Sequence, residues 1–481
     1  MSTSRRVFLK WASAAAAGAA LPVLGSRVAR GAYEFKAKHV VVVSIAGGLR
    51  NVEALGMQWG ATMPNLFGNV PLIPGFGSEA KGEAMIAPEY LTMPGIPSLV
   101  LPTPRTTPLY TEGALITNLR YAEGAPGHLQ GGACLVSGAY NNIENRLDAH
   151  APAPTLFELH SRASGAPSTD AWYVSNPGGF YKTLQLSEHP EFGAPYAGAW
   201  FSPPGSMNAV VPLITAGTRE VTIEPPFQFP SIPYDPAKAE AVRKLIGVLD
   251  NGFPEYAPDG TLYQPTTAES AAFEDHLAEV FADPTYQAFY PDSMGIGVDF
   301  GDANLRSTGD GLTVYHAERL LRAFKPSVMV MTLLDIDQCH NDFNAYLRSQ
   351  QVADALLNHL WTMIESTEGL AGETALLVLP EHGRQLMYNG NNPDSLGRSG
   401  VDHGIGDDGD RDVWLLALGP DFTAGVYEPT NIQQEGRVSG RYETIDMTRT
   451  AAAILGQDEE MATHLKDDGL RPGLLIEDIL A

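Results

Sequence analysis

The chain has 481 residues and a formal charge of −25, with 31 Lys/Arg against 56 Asp/Glu. That surplus of acid argues against nucleic acid and anionic membrane surfaces as partners, because like charge repels both. The length exceeds one ordinary core and points to a large domain with insertions or to two domains, while two cysteines, Cys134 and Cys339, are too few for a disulfide scaffold.

The first stretch reads Ser4-Arg5-Arg6-Val7-Phe8-Leu9-Lys10, followed by an apolar run from Trp11 to Leu24 and small residues around Ala29-Arg30-Gly31. A charged start, a short apolar run and a small-residue cleavage point are the marks of a secretory signal, and the adjacent arginines point to the twin-arginine route. The run is too short for a hydrocarbon core that needs roughly 20 residues. Residues 1–31 are therefore read as a twin-arginine signal peptide, with the twin-arginine export machinery as partner and a periplasmic or otherwise exported location. They hold five Lys/Arg and no acid, so their removal takes the charge to −30. No later stretch approaches 18 uninterrupted apolar residues, and no further membrane span is expected.

Lys38 to Ile45 is β-branched, almost unbroken and ends at Gly47-Gly48, the composition of a central strand buried on both faces. Similar runs recur at Ser327–Leu334, Thr374–Pro380 and Val413–Leu418. Between the second and third, Leu347, Val352, Leu356, Leu357, Leu360 and Ile364 recur at helical spacing. Strand, helix, strand predicts an α/β fold with a mostly parallel central sheet and helices on both faces. Its core is assigned to 33–150 and 311–481. The stretch 151–310, rich in Pro, Gly and aromatics (Pro225-Pro226-Phe227-Gln228-Phe229-Pro230), is read as an inserted cap with a helix within Thr267–Ala282.

In open α/β sheets, ligands gather beyond the carboxyl ends of the strands. Three clusters of metal-type residues fall near strand ends: Asp335-Ile336-Asp337-Gln338-Cys339-His340, Glu381-His382 and Asp402-His403. Carboxylates with imidazoles suit zinc or a similar divalent ion, with manganese or calcium as alternatives. Any one of them alone has a plain structural explanation as a helix cap or a core histidine.

Several segments resemble the alkaline phosphatase superfamily, which includes sulfatases and phosphodiesterases. Val41 to Arg50 resembles its opening strand and turn, Met63-Pro64-Asn65-Leu66 the segment after it, and Gly127 to Gly138 its nucleophile helix. Glu381-His382-Gly383-Arg384 is similar to the Asp-His-Gly metal motif with Glu for Asp, and Thr444 to Gly456 resembles the closing helix. The resemblance implies a two-ion site. One ion would take Asp337 or Asp335, His340 and His403; the other would take Glu381, His382, an Asp after the first strand and the nucleophile. This chain departs at the last two. Ala46 to Asn51 offers no carboxylate before Glu53, and the nucleophile position falls on His128, which is no alcohol.

Two readings of His128 stay open. Either it ligates the second ion with Glu381 and His382, leaving a place for water at a three-ligand catalytic site, or it caps its helix beside an empty second site. Arg384 is either an oxyanion clamp beside the metals or a salt-bridge partner of a nearby carboxylate. Asp407 to Asp412 lacks calcium-loop spacing and reads as a solvated acidic loop. Cys134 and Cys339 read as inert thiols, with a disulfide or a thiolate ligand as alternatives. The expectation is an exported metal-dependent hydrolase of small anionic phosphate or sulfate esters, using metal-activated water. The alternatives are a non-catalytic periplasmic protein keeping the fold with at most a structural ion, and a lipid- or glycan-binding module built on the aromatics of the cap.

Overall fold

Four consecutive valines, Val40–Val43, make β1 (His39–Ile45), which is buried from Val40 to its end. A computed structural model describes residues 33–55, 63–67, 106–141, 143, 149–166, 170–175, 181–201, 309–340, 343–387 and 400–481. The chain divides into two units, Met1–Phe35 and Lys36–Ala481, and the sheet lies wholly in the second. After β1 come β2 (Gly113–Arg120), β3 (Ala171–Ser175), β4 (Ala199–Phe201), β5 (Val328–Leu333), β6 (Thr374–Pro380), β7 (Asp412–Leu418) and β8 (Gly425–Tyr427). Among the described residues the helices of at least nine residues are α1 (His128–Ser137), α2 (Leu156–Ser164), α3 (Gly309–Phe324), α4 (Phe343–Ser366), α5 (Thr444–Ile454) and α6 (Asp458–Asp467).

Among the described residues the eight strands form one sheet in the order β4-β3-β5-β1-β6-β7-β2-β8. β1 sits between β5 and β6, parallel to both, with Val42 beside Val330 on one side and Leu377 on the other. The exception to the parallel core is β7, which runs antiparallel to both β6 and β2. Successive side chains of a strand point to opposite faces. Val41, Val43, Met329 and Met331 join the core that α3 and α4 build through Leu320, Leu321, Leu356 and Leu360. Tyr173 points the other way from Trp172 and stacks on Phe157 of α2, ring centroids 5.7 Å apart. Helices therefore cover both faces, and the fold is α/β with a mostly parallel sheet.

The four apolar runs become β1, β5, β6 and β7, and the periodic stretch becomes α4. The boundary of the inserted cap needs correction. Its first fifty residues supply β3 and β4, and β3 pairs in parallel with β5, Tyr173 beside Val330. A five-residue strand set among prolines and glycines leaves little compositional trace, which is why the whole stretch reads as insertion. Residues 1–32 and 202–308, and with them the signal peptide, the Pro225–Pro230 run and the Thr267–Ala282 helix, lie outside the described residues.

Candidate metal centre

Asp337 and His340 lie on one 3₁₀ turn, Asp335–His340, that follows β5. Residues i and i+3 eclipse in such a turn, and His340 Nε2 stands 3.1 Å from Asp337 Oδ1. Asp335, two residues earlier, turns away: its Oδ2 accepts the Asp310 N–H at 3.0 Å, close to the start of α3. Of the two aspartates the resemblance allowed, Asp337 belongs to the cluster and Asp335 does not.

Glu381 and His382 follow β6 and are fully buried. The loop carrying His403 precedes β7, and only the antiparallel direction of β7 brings it to the edge where β5 and β6 end. Buried Asp410 shapes that loop, accepting the N–H groups of Gly404 and Gly406 on Oδ2 at 3.1 and 2.7 Å. The acidic stretch around it is thus not simply solvated, because one of its carboxylates is an internal brace. His128 opens α1, and the missing side chains of Gly131 and Gly132 bring that helix close: a Cβ on Gly131 would meet the Glu381 carbonyl at 2.8 Å.

The imidazoles converge. Ring centroids lie 4.7 Å apart for His128–His403, 4.8 Å for His340–His403, 4.3 Å for His382–His403 and 5.5 Å for His128–His382. Two groups have donor atoms within 4.8 Å of one another: His128, Asp337, His340 and His403, and His128, Glu381 and His382. His128 belongs to both. Its Nδ1 lies 2.8 Å from Glu381 Oε1 and its Nε2 3.5 Å from Asp337 Oδ2.

The surrounding groups hold the donors in place. His340 Nδ1 hydrogen-bonds Asp402 Oδ1 at 2.7 Å, which directs Nε2 toward Asp337. Asp402 is thus an orienting group for a neighbouring histidine. Arg384 is fully buried and spends its guanidinium on Asp337, the Gly48 carbonyl and the Val401 carbonyl. Of its two readings the salt-bridge partner is the one the geometry shows, and the oxyanion clamp is corrected: the guanidinium pairs with Asp337 and has no exposed surface to offer a substrate. Gly47 and Gly48 have φ of +88° and +82°. A Cβ on Gly47 would strike Asp337, and one on Gly48 would sit 2.7 Å from His382 Nδ1. The turn after β1 therefore supplies close backbone and the Gly47 N–H, which donates to Glu381 Oε1 at 2.8 Å. Tyr181 completes the set, its one O–H shared between the two oxygens of Glu381, each 3.0 Å away. No sequence signal marked it, since it lies 53 residues past His128 in the stretch read as insertion.

Electrostatics separate the groups. Burial opposes charge on Glu381, but hydrogen bonds from His128 and His382 outweigh it and hold the carboxyl at about 2. Asp337 is likewise held well below the usual carboxylate range despite burial, by His128, His340 and His403. Burial pushes His128 down, yet hydrogen bonds to Asp337 and Glu381 raise it to about 10. His403 falls to about 3 through burial and the nearby His382. It is a neutral ring with both nitrogens buried and without a hydrogen bond among the described residues. Buried nitrogens of this kind are normally satisfied, and a divalent cation shared with Asp337 and His340 would satisfy one of them. The donor set fits the expected metal. Cys134 and Cys339 are free, buried thiols, pushed up to about 12 and about 11 mainly by burial, and take no part.

No protein-family model and no curated protein matches the sequence. Solved structures with some likeness include alkaline phosphatase PafA, at 10% identity over 93% of this chain and 100% of that one, TM-score 0.45. They also include a phosphonate monoester hydrolase of Agrobacterium radiobacter, 11% identical over 87% of this chain and 73% of that one, TM-score 0.38. A third is BT1596, a 2-O GAG sulfatase, 11% identical over 88% and 71%, TM-score 0.35. At those scores the sheet and the converging side chains carry the argument on their own.

Proposed function

We propose that the chain is an exported, metal-dependent hydrolase of the alkaline phosphatase superfamily acting on small phosphate or sulfate esters. The supporting observation is His403, a neutral imidazole whose two buried nitrogens have no hydrogen bond among the described residues, beside Asp337, His340 and His128. Nitrogen donors with one carboxylate favour zinc over calcium, which prefers an all-oxygen shell. A bound divalent ion supplies Lewis acidity and lowers the pKa of water. The protein's share is positioning: Arg384 fixes Asp337 and Asp402 fixes the His340 ring. Asp337 and His340 keep 28% and 34% of their side chains exposed, which gives an ester a way in, whereas Glu381 and His382 keep none. Export through the twin-arginine route belongs to the proposal on the strength of Arg5-Arg6 and the apolar run after them.

The test is hydrolysis of aryl phosphate mono- and diesters and aryl sulfates by the zinc- or manganese-loaded protein. Activity that disappears in Asp337→Ala and His403→Ala supports the reading. Bound metal without turnover of any of these esters would favour the second reading, a non-catalytic protein with a structural ion. That alternative draws on His128, an imidazole where an alcohol nucleophile is expected.

A further inference from the structure

We infer that Asp310 and Asp335 anchor the turn that carries Asp337 and His340, so that two carboxylates outside the donor cluster set how those ligands meet an ion. The inference rests on the metal-centre reading above and concerns what holds the turn in place. The N–H groups of Leu334 and Asp335 lie past the last paired residue of β5, Leu333. Asp310 Oδ1 accepts both, at 2.8 and 3.2 Å. In return Asp335 Oδ2 accepts the Asp310 N–H at 3.0 Å. That N–H belongs to the first turn of α3, where a helix has no internal acceptor to offer. From α4, Ser349 Oγ donates to the Asp335 carbonyl at 3.1 Å. Asp335 is therefore held at its N–H, its carbonyl and its side chain, by two helices.

The donors hang from that fixed point. The Asp337 N–H donates to the Leu334 carbonyl at 3.0 Å and closes the turn. A 3₁₀ turn rises only about 2 Å per residue, so a rotation at Asp335 is carried to Asp337 and on to His340. On the far side Gly47 leaves no slack, since a Cβ there would come within 2.9 Å of the Asp337 backbone nitrogen. Both helices are themselves packed into the core, through Leu320 and Leu321 of α3 and Leu356 and Leu360 of α4. Asp310 and Ser349 are buried, so without their bonds the turn's backbone groups would stay unpaired. Asp310 touches no ligand atom and is a positioning residue. If it were only a helix cap, its loss would lower stability and leave the ligand geometry as it was. The bonds also name what is needed at this position: one oxygen receives both N–H groups. The amide oxygen of an asparagine can take its place, and the methyl of an alanine cannot.

The experiment loads the full chain with cobalt(II) in place of zinc, because the visible absorption of cobalt follows the number and geometry of its ligands. Zinc affinity is measured alongside by chelator competition. The variants are Asp310→Ala, Asp310→Asn and Ser349→Ala, each with its thermal midpoint in chelator to show that it is folded. Asp310→Ala is expected to shift the cobalt bands and to weaken zinc binding about 10–100-fold. Asp310→Asn should restore both toward wild type, and Ser349→Ala, which removes one tether, should fall between. A folded Asp310→Ala with wild-type bands and affinity overturns the inference and leaves the hydrolase proposal standing. Asp310→Asn as impaired as Asp310→Ala overturns it too, since the acceptor oxygen would not be what holds the turn. If Asp310→Ala does not fold, Ser349→Ala decides, and unchanged bands and affinity there overturn the inference. A wild-type chain that takes up neither metal sinks the metal-centre reading, and this inference with it.

Discussion

The two sides of His128 differ in what surrounds them. Toward Asp337 the donors are partly exposed, braced from outside by Arg384 and Asp402, and include a histidine with no hydrogen bond among the described residues. Toward Glu381 everything is buried, with backbone and tyrosine donors on the carboxylate and His382 Nε2 without a hydrogen bond among the described residues. Similar residue types have different surroundings because one side meets solvent and the other is sealed under β1 and α1. Acid and imidazole in one place do not by themselves make a metal ligand. What counts is whether their lone pairs are still available.

Variants can break that contrast. The largest effect is expected from His403→Ala, which should abolish zinc retention and ester hydrolysis while circular dichroism stays native, because the loop is held by Asp410 and not by the ring. Arg384→Met should cost about 3–5 kcal/mol in urea unfolding, since it leaves Asp337 and two carbonyls without their buried cation. Gly48→Ala acts on the sealed side, adding a Cβ against His382 and Gly383 at positive φ. Destabilisation of at least about 2 kcal/mol is expected there, read by denaturant midpoint. Removing zinc with chelator should lower stability by about 2.7 kcal/mol relative to zinc held at a hundredfold excess over its dissociation constant. A smaller loss, about 1–2 kcal/mol, is expected for Asp410→Ala, which frees the Gly404 and Gly406 N–H groups; it should also weaken zinc binding by loosening the His403 loop. If variants on the sealed side emptied the site without unfolding the chain, the contrast would fail.

Much of this was legible along the chain. Unbroken apolar runs can only be central strands or buried helices, and their length and β-branching chose strands. Asp337 and His340 are three residues apart, a spacing that one turn makes adjacent. Glu381 and His382 directly follow a strand, which already places them at its carboxyl end. Those facts are local, and local spacing survives folding. The direction of β7 is not local: an apolar run reads the same parallel or antiparallel, yet its reversal is what delivers His403. Nor could composition tell Asp335 from Asp337, because both lie on one turn and only packing against α3 claims the first. Arg384 looked available since its partners lie 336, 47 and 17 residues away. Tyr181 and β3 came from a stretch whose composition resembles insertion. The sequence by itself therefore determined which donors exist and which strand ends carry them. The tertiary structure decided which lone pairs remain free, because that depends on burial and on hydrogen-bond partners hundreds of residues away.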